Sequence, residues 1–124
     1  MVTAMKARMS GPMPEAMTQQ MAAQMVTAPV DVTRVVGWMK ASDPVVVGTA
    51  MTDDMLADLR PGVGSIAVPV TVLYETALSD AIKTGYAPLP TGTLVEVPGA
   101  KHFIMYDQPT LFDAALDQFL RAKR

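Results

Sequence analysis

His102 is the only histidine among the 124 residues. It stands in the stretch Val97-Pro98-Gly99-Ala100-Lys101-His102-Phe103, between a β-branched run and the start of a helix. An imidazole titrates near neutrality, so it can take a proton from an attacking hydroxyl and hand it to a leaving group. For that it needs a hydroxyl within hydrogen-bond reach of one nitrogen. It also needs a carboxylate behind the other nitrogen, to fix the tautomer and stabilise the imidazolium. Ser42, Ser65 and Ser79 are the serines near the second half of the chain, and none has a sequence context that would activate it. Taken alone, one histidine after a strand is more often structural or solvated than catalytic. Asp107, the nearest acid downstream, is expected to cap the helix that follows rather than to partner the imidazole.

Composition removes several other chemistries. The chain has no cysteine and a single histidine, so thiolate and histidine metal sites lack donors, and no metal or other cofactor is expected. With no disulfide framework the sequence fits a reducing compartment. Net charge is −2, and the longest basic grouping is Arg121, Lys123 and Arg124 at the tail, so no nucleic-acid partner is expected. Half the residues are hydrophobic and 18% are charged, which favours one folded domain over a disordered chain. No apolar run is long enough to span a membrane. Lys6 and Arg8 stand where a signal peptide has its charges, but SGPMPEAMTQQ follows where its apolar core belongs. The expectation is a cytoplasmic chain without a membrane partner.

Methionine occurs 11 times. Positions 1, 5, 9, 13, 17, 21 and 25 carry it at a constant spacing of four, which keeps successive side chains in touch along a helix. This reads as a packed helical stripe or as a pliable apolar wall for a substrate or partner. Met17, Met21 and Met25, with Trp38, are the candidate pocket residues; packing between helices accounts for them equally well.

The first half reads as short helices separated by prolines. Residues 1–9 are helix-prone, and Ser10-Gly11-Pro12 interrupts them. Pro14 opens a helix to about Val26, ending before Ala28-Pro29. Asp31 is a cap candidate for a third helix with Val32, Val35, Val36 and Met39 on one face. Ser42-Asp43-Pro44 opens a fourth, ending near Asp58-Leu59-Arg60-Pro61. The second half changes character. Residues 66–74 (IAVPVTVLY) read as a strand buried on both faces, with Pro69 near its start. Residues 75–86 hold a loop and a short helix, and 93–97 (TLVEV) a second strand. A last helix over 108–121 carries Phe112, Ala115, Leu116, Phe119 and Leu120 on one face and an Asp117–Arg121 pair on another. The expected class is α/β, with a helical segment over 1–61 and a βαβα unit of parallel strands over 62–124. Two parallel strands rarely stand alone, because a sheet needs roughly three or more with both faces covered.

Over roughly residues 42–124 the chain resembles the C-terminal end of an α/β-hydrolase. The resemblance rests on Asp58-Leu59-Arg60-Pro61, on 66–74, on Val97-Pro98-Gly99-Ala100-Lys101-His102-Phe103, and on Asp107-Gln108-Pro109. The helical first half resembles the lid that this family inserts before its last strands. The resemblance implies that His102 descends from a triad histidine. It places the triad acid in the loop after the first of the two strands, Glu75 to Asp80, where the usual aspartate position falls near Ala77 or Leu78. Glu75 and Asp80 are the two carboxylates left; Asp80 can equally cap the helix at Ala81-Ile82-Lys83.

The family's G-x-S-x-G nucleophile elbow and oxyanion segment are missing. Gly62-Val63-Gly64-Ser65-Ile66 has the wrong register and leads into a strand rather than a helix, so it reads as a loop. The sequence begins within what resembles the lid. The expected partner is therefore an N-terminal hydrolase part carrying the serine, on a separate polypeptide or encoded upstream, or failing that a second copy of the chain. A small apolar ester is the expected substrate.

Overall fold

The computed structural model describes Ala7, Gly11 and residues 13–122. The methionines at 1, 5 and 9 and the helix expected over 1–9 lie outside those residues, apart from Ala7. Among the described residues the chain is mixed α/β, with seven α-helices, one 3₁₀ turn and a two-stranded parallel sheet.

Prolines set the helix starts. Pro14 precedes α1, Glu15–Met25, and its carbonyl accepts the Thr18 N–H at 3.0 Å. The helix ends where Val26 turns extended. Pro29 then opens α2, Pro29–Ala41, from its first turn, with Ala28 at the cap position. Asp31 therefore does not cap this helix as its sequence position suggested, because the start at Pro29 puts the cap three residues earlier, at Ala28. Asp31 lies in the first turn, buried, and pairs with Arg34 at 2.5 Å. The expected apolar face does form: Val35 and Val36 close on Ala22 of α1 and on Val26 just past its end, and Met25, Val32, Met39 and Phe103 pack around them. Lys40 reaches Glu15 at 2.7 Å and ties the two helices at the surface.

Asp43 caps α3, Pro44–Leu56, accepting the Val45 and Val46 N–H groups at 2.8 and 3.1 Å. This helix is apolar nearly all round, a pattern proper to a buried helix. Yet only Gly48 and Thr52 of this helix are buried, and among the described residues α3 has no extensive contact with another element. Val45, Val46, Met55 and Leu56 are all more than half exposed.

The turn after α3 is set by Asp58, whose carboxylate takes a fork of bonds from Arg60, Nε at 2.6 Å and Nη2 at 2.8 Å. The Arg60 side chain and backbone N–H hold the Asp58 carboxyl down to about 2. Arg60–Val63 forms a single turn, α4, so part of the stretch expected as a loop is helical.

The first strand, β1, is Val70–Glu75. It is shorter than expected at its start: the ladder begins with the Val70 N–H donating to the Thr91 carbonyl at 3.3 Å, residues 66–69 stay outside it, and Val68 is exposed. A 3₁₀ turn, Thr76–Leu78, leads into α5, Ser79–Gly85, and the chain returns as β2, Gly92–Val97. The strands pair in parallel from Val70 with Gly92 to Glu75 with Val97. Burial is concentrated at their C-terminal ends, in Tyr74 and Val97.

After β2, Pro98 and Gly99 make a tight turn in which the Ala100 N–H reaches the Val97 carbonyl at 3.4 Å. Gly99 has φ of 76°, the left-handed conformation glycine adopts without strain at this place in a turn. A one-turn helix, α6, Ile104–Asp107, packs against β1, and α7, Pro109–Arg121, ends the fold. On α7, Phe112, Ala115 and Phe119 are half-buried, Leu116 and Leu120 are largely exposed, and Arg121 pairs with Asp117 at 2.7 Å.

Candidate functional site

The parallel register brings the C-terminal ends of both strands to one edge of the sheet. Glu75 closes β1 opposite Val97, and the turn beginning at Pro98 carries the chain from that edge to His102. Glu75 is half-buried. His102 is exposed, and its ring stands edge-on to Phe103 with centroids 5.0 Å apart. No hydrogen bond or ion pair joins His102 to Glu75 or to Asp80 among the described residues. Asp80 lies exposed in the first turn of α5; Leu78 holds the cap position without a side-chain bond, so Asp80 is not the cap that its sequence allowed.

The three serines considered as nucleophiles are each committed locally. Ser42 Oγ donates to the Trp38 carbonyl at 2.8 Å, at the end of α2. Ser65 Oγ donates to the Gly62 carbonyl at 2.7 Å, and Ser79 Oγ faces Glu96 at 3.4 Å. None is hydrogen-bonded to the imidazole.

The segment carrying His102 is held from several directions. The Phe103 N–H donates to the Met25 carbonyl at 3.0 Å. Lys101 Nζ donates to the Ala23 carbonyl at 2.5 Å and to the Val26 carbonyl at 3.2 Å, filling acceptors that a helix end leaves without partners. Trp38 sits edge-on to Phe103 at 5.9 Å and also meets Tyr106 at 5.9 Å. The Arg34 guanidinium lies 5.0 Å over the Tyr106 ring.

Asp107 is not the cap of the last helix. That position belongs to Gln108, and Asp107 closes α6 instead. Its Oδ1 accepts the Thr27 N–H and the Thr27 hydroxyl, both at 2.7 Å, and its Oδ2 accepts the Lys101 N–H at 2.8 Å. Burial opposes the charge, but these bonds, with the positive charge of Lys101, outweigh it and hold the carboxyl below its ordinary value. Sequence reasoning missed this role because Thr27 lies 80 residues from Asp107. The only local signal was an acid beside Gln108-Pro109, which reads as a cap.

Of the candidate pocket residues, Met17 is half exposed, Met21 is intermediate, and Met25 packs on the helical core. Trp38 belongs to the aromatic group around Phe103. Two clefts of about 400 Å³ each lie elsewhere. One runs between the start of the strands and α7, past Val70, Thr93 and Phe119; the other lies between the end of α3 and Tyr86. Among the described residues no group of three or more His, Cys, Asp or Glu could hold a metal ion, and no helix is long and apolar enough to cross a membrane. Compared with known protein families, curated proteins and solved structures, the chain matches none of them.

Proposed function

We propose that this chain is the C-terminal part of a serine hydrolase of the carboxylic-ester type with an α/β-hydrolase fold. The observation that carries the reading is the parallel register, in which the end of β1 at Glu75 and the loop holding His102 share one edge of the sheet. An acid and a histidine delivered from adjacent parallel strands to a common edge is an arrangement suited to a base with a carboxylate behind it. His102 acts as general base and then general acid, and Glu75 or Asp80 orients it once the site is assembled. A second polypeptide segment supplies the serine and the oxyanion donors, and a small apolar ester passes through an acyl-serine intermediate. Alone the chain is inactive, because nucleophile and oxyanion donors carry much of the acceleration in such reactions.

The test is affinity capture of the tagged chain from its native source, followed by labelling with a fluorophosphonate. The expected result is a co-purifying polypeptide with a G-x-S-x-G serine that labels in the complex and loses labelling with His102→Ala. A uniform homo-oligomer that ignores the probe overturns the reading.

That second outcome corresponds to a non-catalytic, self-associating module, and one observation favours it. The same apolar side chains of α3, Val45, Val46 and Met55, stand exposed on every copy, which is the kind of surface that two copies can bury against each other.

A further inference from the structure

We propose that Asp107 is the positioning residue for His102, holding the imidazole segment to the end of α1 through one carboxylate. The proposal rests on the hydrolase reading for what the imidazole does, but the positioning itself belongs to this chain alone.

Both neighbours of His102 are pinned, while among the described residues His102 itself has only its ring contact with Phe103. Lys101 is bound through its N–H to Asp107 and through its ammonium to the carbonyls of Ala23 and Val26. Phe103 is bound through its N–H to Met25, and its ring is seated against Trp38 and the helical core. Between them His102 stays exposed. An imidazole presented on an anchored backbone keeps its direction while its nitrogens remain available. A base must hold a hydroxyl and a carboxylate in fixed geometry, so this arrangement suits the task.

Asp107 is the member that joins the two sides. Thr27 N–H and hydroxyl and Lys101 N–H all converge on its carboxylate. All three are donors, so the group between them has to accept only, which an ionised carboxylate does. An amide in its place turns an NH₂ toward one of the donors. The helical segment is thereby part of the histidine loop's support: Thr27, two residues past α1, and Lys101, the residue before His102, share one acceptor.

The test is read on the isolated full chain, so it stands whether or not a serine-bearing partner is found. Because there is one histidine, the imidazole gives a single set of proton–carbon NMR signals. Three variants are compared with the parent: Asp107→Asn, Thr27→Val and Thr27→Ser. In Asp107→Asn the amide exchange of Lys101 and Thr27 accelerates at least about tenfold. The imidazole signals move toward their unstructured positions with loss of the ring contact to Phe103, while exchange at Val35 and Val36 stays within about twofold. Thr27→Val shows the same changes to a smaller degree, and Thr27→Ser restores the parent spectrum.

The proposal is overturned if the imidazole signals of Asp107→Asn superimpose on those of the parent. It is equally overturned if Val35 and Val36 accelerate by the same factor as Lys101, which marks a general support of the fold. Should Asp107→Asn fail to fold, Thr27→Val decides by the same two criteria. In a reconstituted complex that labels with fluorophosphonate, Asp107→Asn lowers kcat with KM unchanged.

Discussion

Three donors meet the Asp107 carboxylate, two from Thr27 and one from Lys101, and bonds to an ionised acceptor are among the stronger ones a protein makes. Asp107→Ala is expected to cost roughly 3 kcal/mol, checked by urea unfolding followed by circular dichroism. The carboxyl lies below its ordinary value in the fold, so its contribution is fully present above the unfolded value of about 3.9. That contribution is lost as pH falls through the lower folded value. Melting temperatures measured from pH 7 to pH 2 are expected to fall more steeply for the parent than for Asp107→Asn over the acid part of that range. Gly99 offers a second test at this scale. With φ at 76° and a Cβ position only 2.9 Å from Gln108 Nε2, Gly99→Ala is expected to cost about 1–2 kcal/mol by the same measurement.

The helices differ in what holds them. α1 and α2 form a hairpin around Ala22, Val26, Val35 and Val36, whereas α3 opens on its Asp43 cap and, among the described residues, has no extensive contact with another element. Asp43→Ala is expected to cost about 1 kcal/mol of local stability, seen as faster amide exchange within 45–49 with no change in the α1–α2 hairpin. Much of this layout was legible in the sequence, since proline punctuates helices by removing a donor and fixing φ, and it does so at Pro14, Pro29, Pro44 and Pro109. The caps were less legible. Asp43 precedes its proline and caps; Asp31 follows Pro29 and finds itself inside the helix with Arg34. The strands were visible as β-branched runs, although pairing in the first begins only at Val70, after Pro69. What no local pattern could show was Asp107 reaching Thr27, because a hydrogen bond over that separation is decided by how the two halves pack.

At the scale of the molecule, the apolar surface is the dominant feature. Among the described residues, a two-stranded parallel sheet with half-exposed strand starts, an apolar α3 and an incompletely covered α7 leave apolar side chains in water. The expected behaviour of the purified chain is association, detected by light scattering, together with strong binding of a hydrophobic dye. Replacing Val46 and Met55, each 65% exposed, by lysine is expected to weaken both signals while leaving the circular dichroism spectrum unchanged; an unaltered association state would place the interface away from α3.

The chain's only tryptophan stands where the histidine loop meets the helices, touching Phe103 and Tyr106. Its fluorescence is thus a built-in gauge of that junction. Lifting the loop from the helices bares more of Trp38, which is 44% exposed with the loop in place, and shifts its emission to longer wavelength, with no label added.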